Sequence, residues 1–498
     1  MTPLQHVDGQ RRPGVGAVAG AVAFGCSALV VVVLAVLAVR SATRLELRWD
    51  TFAYHLPFAA ARGGLPIPYV MNEGMYPFFQ GFPPLPDLVQ GLLWRATGSI
   101  NATGVVNFLA FGIFLAYAHI VLRAPFWLVA LISLSTPMVL IHTTVSYVDL
   151  FANAWLAIGL SSCVFGFLFP DRMSRPVLLG GLIGLIGAAW SKYQLVPIVA
   201  VVFCILAVIA LRPGGVTSVS RRRVMVLLGL AVLIAAFPYI KNLVLYSNPF
   251  WPERMPILGA MFPYLRDDVA AGIGQQRPTG LRDAPQYQVF FRSLFEIDLP
   301  THYDYRPRWI IDQGNASTAF RMGGFWGVGV VVFLATMSAM LIAYRRRPGL
   351  IAIAAAMAML CFVAVLPQSH ELRYYMFIPL TWAATIGMLW PHIRRRWPAA
   401  GLGVVVIVAA LFSYMASENL TYYRLGKTDL ADAASAWGAS PWWSKLQAGH
   451  SYCAVGFFPA AMLLTGPTMS EFSIVDRTDP ALCPRGTAIV TPQGIQAP

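Results

Sequence analysis

Charge is what this chain has least of. Only 12% of its 498 residues are Asp, Glu, Lys or Arg, about half the roughly 25% of a soluble domain. So little charge excludes an ordinary water-facing globule. Lysine is rarer still, with four in the whole chain and Lys192 alone before Lys241. There are six cysteines and no CxxC or His-rich spacing, so nothing in the sequence suggests a structural metal. No internal repeat or low-complexity run is visible.

Apolar residues fill the space that charge leaves. They make up 57% of the chain, and the mean hydropathy is +0.62. Runs that approach the ~20 residues needed to cross a bilayer lie near 15–39, 104–122, 125–144, 151–170, 176–190, 195–211, 224–240, 324–343, 349–366, 375–391 and 398–415. The pattern predicts an all-α polytopic membrane protein of about 11 transmembrane helices. The run at 176–190 is short, either tilted or re-entrant. The first run, behind Arg11 and Arg12, is too long for the apolar part of a signal peptide and reads as a retained span.

The formal net charge of +14 points at first sight to nucleic acid. Its distribution argues against that partner. Arg11, Arg12, Arg123, Arg172, Arg175, Arg212, Arg221–Arg223, Arg345–Arg347 and Arg394–Arg396 fall in every second gap between spans, and only Asp8 and Asp171 of the 22 carboxylates share those gaps. Positive short loops stay cytoplasmic, so the N-terminus is expected inside and the C-terminus outside. The Arg triplets then serve topology and lipid headgroups. The middles of the spans avoid charge, unlike transporters with ionisable groups at mid-membrane. Any chemistry is expected at the outer helix ends.

The outer side holds four segments. Residues 40–103 form a first loop, in which FPPLPDLVQGLLW reads as an amphipathic interfacial helix opened by Pro86 and Asp87. Residues 242–323 are too long for a connector and are expected to form a lid. The third segment is the short 367–375, and the fourth is a small appendage over 416–498. The expected division is therefore a membrane domain over 1–415 and an outer appendage. Cys26, Cys163, Cys204 and Cys361 lie in spans, while Cys453 and Cys483 lie in the tail, where an oxidising exterior permits a disulfide between them.

A few polar residues stand out. Asp50, beside Trp49, is placed either to act as a general base or cation ligand in a partly dry cleft, or to cap the helix that follows. Asp149, at the mouth of the fourth span, carries the same two readings. Lys192, in a very short turn, either grips a phosphate or snorkels beside Trp190 and Tyr193; Lys241 is a weaker version of the same idea. His370-Glu371-Leu372-Arg373-Tyr374-Tyr375 concentrates an imidazole, a carboxylate, a guanidinium and two phenols at a helix mouth. Arg grips phosphate through paired hydrogen bonds, and Tyr suits sugar or isoprenoid contacts; an ion pair within an aromatic belt is the alternative. His55 and His142 read as packed interfacial residues rather than metal ligands.

Taken in order, these motifs resemble the GT-C class of membrane glycosyltransferases, in particular bacterial relatives of the protein mannosyltransferase and aminoarabinose transferase families. WDTFAYHLPFA is similar to the class's first-loop acidic motif and SYVDLFANAW to its second. SKYQL resembles its Lys-Tyr turn, KNLVLYSNPFWP its Asn-Pro motif, and HELRYYMFIPL its late charged-aromatic motif. The resemblance spans about residues 15–415. It implies an inverting transferase of the bacterial inner membrane that takes a sugar from a polyprenyl-phosphate donor and passes it to a glycan, lipid or protein acceptor outside the cytoplasm. Asp50 would be the base, and Asp149 would orient the acceptor or a divalent cation such as Mg or Mn. Lys192 and Arg373 would bind the donor phosphate, with His370, Glu371, Tyr374, His55 and Lys241 lining the substrate site. The first motif is WDT rather than an Asp-Glu pair, which leaves metal dependence open, and the tail is shorter than the outer domains of oligosaccharyl- and arabinosyltransferases. A lipid-linked glycan flippase and an O-antigen-type polymerase or ligase are the rival readings.

Overall fold

The computed structural model describes residues 13–45, 50–65, 69–71, 73–216, 219–254, 262–264, 277–297, 299, 308–311, 321–425, 449–455, 473–477, 479–491 and 494–496. Trp49 and much of the 242–323 and 416–498 segments lie outside them. In chain order the helices are α1 (Pro13–Thr43), α2 (Leu56–Arg62), α3 (Tyr76–Gly81), α4 (Leu85–Thr97), α5 (Val105–Ile120), α6 (Phe126–Leu134), α7 (Pro137–His142) and α8 (Asp149–Leu168). They continue as α9 (Arg175–Ala189), α10 (Val196–Leu211), α11 (Arg221–Tyr246), α12 (Gln286–Phe295), α13 (Gly327–Tyr344), α14 (Arg346–Ala364), α15 (Phe377–Arg396) and α16 (Pro398–Leu425).

Among the described residues, eight helices are long and apolar enough to cross a membrane: α1, α5, α8, α10, α11, α13, α14 and α16. The other three predicted runs are built differently. The run at 125–144 is broken into α6 and α7 at Ser135–Thr136, where Pro137 restarts the helix at a position that needs no backbone donor. The run at 176–190 is the 15-residue α9. The run at 375–391 is α15, buried along most of its length. The chain is thus an all-α polytopic membrane protein with interfacial helices α2 to α4 in its first loop.

The core gathers around α8 and α15. Both bury nearly every side chain, while α1 and α11 expose Phe24, Val36, Leu233 and Val244. In a bilayer such exposed apolar faces meet lipid. Packing between α8 and α9 depends on close backbone approach: a Cβ on Gly184 would lie 2.6 Å from the Trp155 carbonyl. Small residues at such crossings let the two backbones meet.

A five-stranded sheet joins the two ends of the chain, an element the apolar pattern did not foretell. Its order is β1 (Tyr69–Val70), β3 (Ser473–Arg477), β2 (Ser451–Val455), β4 (Ala488–Thr491) and β5 (Gly494–Gln496). All neighbours are parallel except β4 and β5. The strand from the first loop therefore pairs with the tail, Tyr69 opposite Ile474. Cys453 in β2 is bridged to Cys483.

Candidate active site

Five chain segments deliver charged groups to one buried cluster at the carboxylate-rich end of the bundle. Asp50 precedes a widened turn over Thr51–His55. Asp149 opens α8, Lys192 sits between α9 and a 3-10 turn, and Glu371 and Arg373 belong to the turn before α15. Arg321 comes from just ahead of α13.

The ion pairs are close. Arg373 Nη1 lies 2.7 Å from Asp50 Oδ2 and 3.9 Å from Asp149 Oδ2. Arg373 Nε reaches Glu371 Oε2 at 3.2 Å, and Nη2 donates to the Tyr374 hydroxyl at 2.9 Å. Lys192 Nζ pairs with Asp149 Oδ1 and stands 3.8 Å from the Tyr374 ring centre, a cation–π arrangement. Arg321 Nη1 is 3.6 Å from Glu371 Oε2. Three carboxylates thus face three cations. Such a set is tolerated in a buried site only because every charge has a partner.

Neither Asp uses its side chain as a cap. Asp50 makes no capping hydrogen bond, and α8 has Val148 at its cap position with Asp149 inside the first turn. Both carboxylates point instead at the cations. Burial pushes the Asp50 carboxyl upward, but Arg373, Arg321 and His55 outweigh it and hold Asp50 below the usual carboxylate range. Burial likewise opposes the charge on Arg373, and Tyr374 with the carboxylates overrides it, so the guanidinium stays protonated. Lys192 is drawn down by burial and held up in part by Asp149.

Two buried amides fix this geometry. Asn153, one turn into α8, donates to the Asp149 carbonyl at 2.7 Å and to the Arg373 carbonyl at 3.3 Å, and it accepts from Phe377 N at 2.9 Å. It locks the Arg373 turn onto α8. Asn107 on α5 donates to the Val145 carbonyl at 2.9 Å and accepts from Phe151 N at 2.8 Å, setting the entry of α8. Asn153 follows Asp149 by one helical turn within SYVDLFANAW, the signal that could have revealed it. Arg321 carried no such signal, since it stands in a long segment without a pattern.

Three expected substrate residues are placed apart from the cluster. Lys241 Nζ donates to the Gln80 carbonyl at 2.6 Å, so its ammonium ties α11 to α3. The His370 ring turns toward the long loop, with Nδ1 3.3 Å from Gln286 Nε2 on α12. Burial, with Arg277 and Arg321 nearby, pulls His370 down to about 3, so it stays neutral. His55 pairs with Asp87 of α4 across 3.3 Å. His142 bonds the Ile311 carbonyl at 2.8 Å. The donor set does not suit a divalent cation: Asp50 and Asp149 are already matched by Arg373 and Lys192, and no three His, Cys, Asp or Glu among the described residues gather into a metal-binding group.

An apolar, partly open cavity of about 470 Å³ lies between α8, α10, α13, α14 and α15. Phe377 and Ile378, which begin two residues beyond the Tyr375 turn, line it together with Leu160, Val208, Met359 and Trp382. Only Thr381 and Thr385 bring hydroxyls to it.

No protein-family model matches the chain, and no curated protein does. Two solved structures do. ArnT from Cupriavidus metallidurans bound to undecaprenyl phosphate superimposes with a TM-score of 0.54 over 94% of this chain and 93% of that one, at 14% identity. The apo form of the same protein gives 0.52 over 89% and 84%, also at 14% identity. At that identity the likeness is one of fold: this chain has the architecture of ArnT along nearly its whole length, the architecture that its motif order implied.

Proposed function

We propose that this protein is an inverting glycosyltransferase of the bacterial inner membrane, moving a sugar from a polyprenyl-phosphate donor to an acceptor on the outer side. One observation carries the reading. Asp50, Asp149, Lys192 and Arg373, spread over more than 300 residues of sequence, meet in a single buried cluster, and the helix that follows Arg373 lines an apolar cavity. The shared fold with a protein crystallised with undecaprenyl phosphate supports the choice of donor.

The geometry suggests how donor and base are coupled. An isoprenoid chain entering from the lipid fits the cavity, whose walls offer almost nothing polar, and its phosphate then arrives beside Lys192, Arg373 and Arg321. The phosphate competes with Asp50 for Arg373. As that pair loosens, Asp50 loses the partner that holds its basicity down, and it becomes able to take the acceptor's proton. The acceptor oxygen attacks the anomeric carbon from the face opposite the phosphate. The C–O bond to phosphate breaks with its electrons going to the leaving group, and the cations stabilise the charge gained there. Asp149, held by Lys192, orients the acceptor. Tyr54 and Tyr374, protonated because burial raises both, offer rings and hydroxyls to the sugar.

The test is a transfer assay with a panel of tritiated undecaprenyl-phosphate sugars, comparing wild type with Asp50→Asn. Activity is expected to fall by about 10²- to 10⁴-fold, with donor binding retained. An Asp50→Asn variant as active as wild type overturns the assignment.

A further inference from the structure

The three cations of the cluster are not equally engaged. Arg373 lies 2.7 Å from Asp50 and Lys192 is paired with Asp149, and their side chains are 3% and 13% exposed. Arg321 stands 3.6 Å from Glu371 and is 22% exposed, so its guanidinium is the most open of the three to an arriving anion. We propose that Glu296 and Ser293 are positioning residues for Arg321, holding the strap that carries it where the donor phosphate arrives. The inference rests on the proposed donor, a polyprenyl phosphate.

The strap is the segment 321–326 just ahead of α13. It winds through left-handed backbone at Gly323 (φ +86°), Gly324 (φ +106°) and Trp326 (φ +61°). Glycine takes such angles freely, whereas tryptophan does so only where its surroundings hold it there. Residues 322–326 are buried and belong to neither helix nor strand, so their amides need partners from elsewhere.

Helix α12 supplies those partners along one stripe. Val289, Ser293 and Glu296 follow one another at i, i+4 and i+7, the spacing of a single helix face. Val289 shares a small apolar cluster with Met322. Ser293 Oγ accepts from Gly323 N at 2.7 Å and donates to the His370 carbonyl at 2.6 Å. One hydroxyl thus ties the Arg321 strap to the turn that carries Glu371 and Arg373. Glu296 Oε1 accepts from Gly324 N at 3.0 Å, Trp326 N at 3.1 Å and the Trp309 indole at 2.9 Å, while Oε2 meets Arg308 Nη2 at 3.2 Å.

Glu296 is itself left-handed, at φ +53°, in the place after α12 where Ile297 N bonds back to the Arg292 carbonyl. Glycine is the usual residue there, and a glutamate strains the backbone. The carboxylate it brings gathers three N–H donors on one oxygen. Without it those donors are stranded, and the strap is released to draw Arg321 away from Glu371. The Glu296 carboxylate is engaged by the strap and by Arg308 and Trp309, so its effect on the phosphate passes through Arg321.

A double-mutant cycle tests this, read as the Kd of undecaprenyl phosphate for the full chain in detergent by native mass spectrometry. Arg321→Gln and Glu296→Ala are each expected to weaken binding by about 10- to 100-fold. In the Arg321→Gln background, Glu296→Ala is expected to change Kd by less than about twofold, because residues that act through one another are not additive. Losses that multiply assign Glu296 to the general fold and overturn the inference. Glu296→Gln keeps an oxygen for the three N–H donors and is expected to bind within about threefold of wild type; a loss as large as that of Glu296→Ala also overturns it. If Glu296→Ala does not fold, Ser293→Ala takes its place in the cycle, with an expected loss of about 3- to 10-fold that vanishes beside Arg321→Gln. A wild type that does not bind undecaprenyl phosphate removes the proposed donor. A wild type that binds it, with Arg321→Gln binding equally well, removes the positioning role alone.

Discussion

Helices α8 and α11 are alike in sequence and live in different surroundings. Both are long and apolar, yet 78% of the apolar window of α8 is buried in the protein against 22% for α11. The difference lies in their few polar residues. Asp149, Asn153, Ser161 and Ser162 of α8 are all buried, whereas the middle of α11 from Val224 to Pro238 carries no such group. In lipid, apolar surface gains little by turning inward, because the tails are as apolar as the core. Polar groups gain a great deal, because only protein can satisfy them. The inside of this bundle is therefore marked by its rare polar side chains, and its greasiest helices face out.

The contrast can be broken most forcefully at Arg373. Arg373→Gln leaves Asp50, Asp149 and Glu371 without their shared cation, at a cost of about 3–5 kcal/mol, and abolishes transfer. The sign of its pH dependence is distinctive. In the wild type Asp50 is held below its ordinary range, so its contribution to stability is present above the unfolded carboxylate pKa and is lost only as pH falls through the lower folded value. In Arg373→Gln burial dominates and the folded carboxyl is raised. Stability is then greatest at low pH and declines as pH rises through the raised value. Thermal unfolding in detergent at pH 5 and pH 7 is expected to find the variant more stable at pH 5; a variant more stable at pH 7 contradicts the burial argument.

A smaller effect is expected on α8 at Asn153. Asn153→Leu keeps the bulk and removes three hydrogen bonds, two of them to the Arg373 turn and Phe377. A loss of about 1–3 kcal/mol, with turnover reduced more than donor KM, is expected from combined unfolding and transfer measurements. The smallest effect belongs to α11, where Leu233→Val on the exposed face should shift stability by less than about 0.5 kcal/mol and leave transfer unchanged. A Leu233 variant as damaging as Asn153→Leu dissolves the comparison between the helices.

Much of this was legible beforehand for a physical reason. Span-length apolar runs follow from bilayer thickness, so the eight long apolar helices could be read directly, while the run at 125–144 broke at Pro137 into two short helices. Asp50, Asp149, Lys192 and Arg373 were visible as rare charges at helix mouths. Their pairing was not, because it depends on how α8, α9 and the turn before α15 pack. Lys241 resembled Lys192 in sequence, yet the Gln80 carbonyl takes its ammonium, and only tertiary placement separates the two. Arg321 drew no attention as a site group, because it stands in patternless sequence. The Tyr69–Val70 strand is two residues long, too short for any alternation to show.

That short strand gives the far end of the polypeptide a structural stake in its beginning. Tyr69 and Val70 form the rim of a sheet whose other members all come from beyond residue 450, and Arg477 reaches Glu73 at 3.9 Å alongside them. Clipping the chain before residue 450 would strip one flank of the linker between α2 and α3, baring its amide and carbonyl groups. The helices that frame Asp87 would then lean on a hinge in place of a splint.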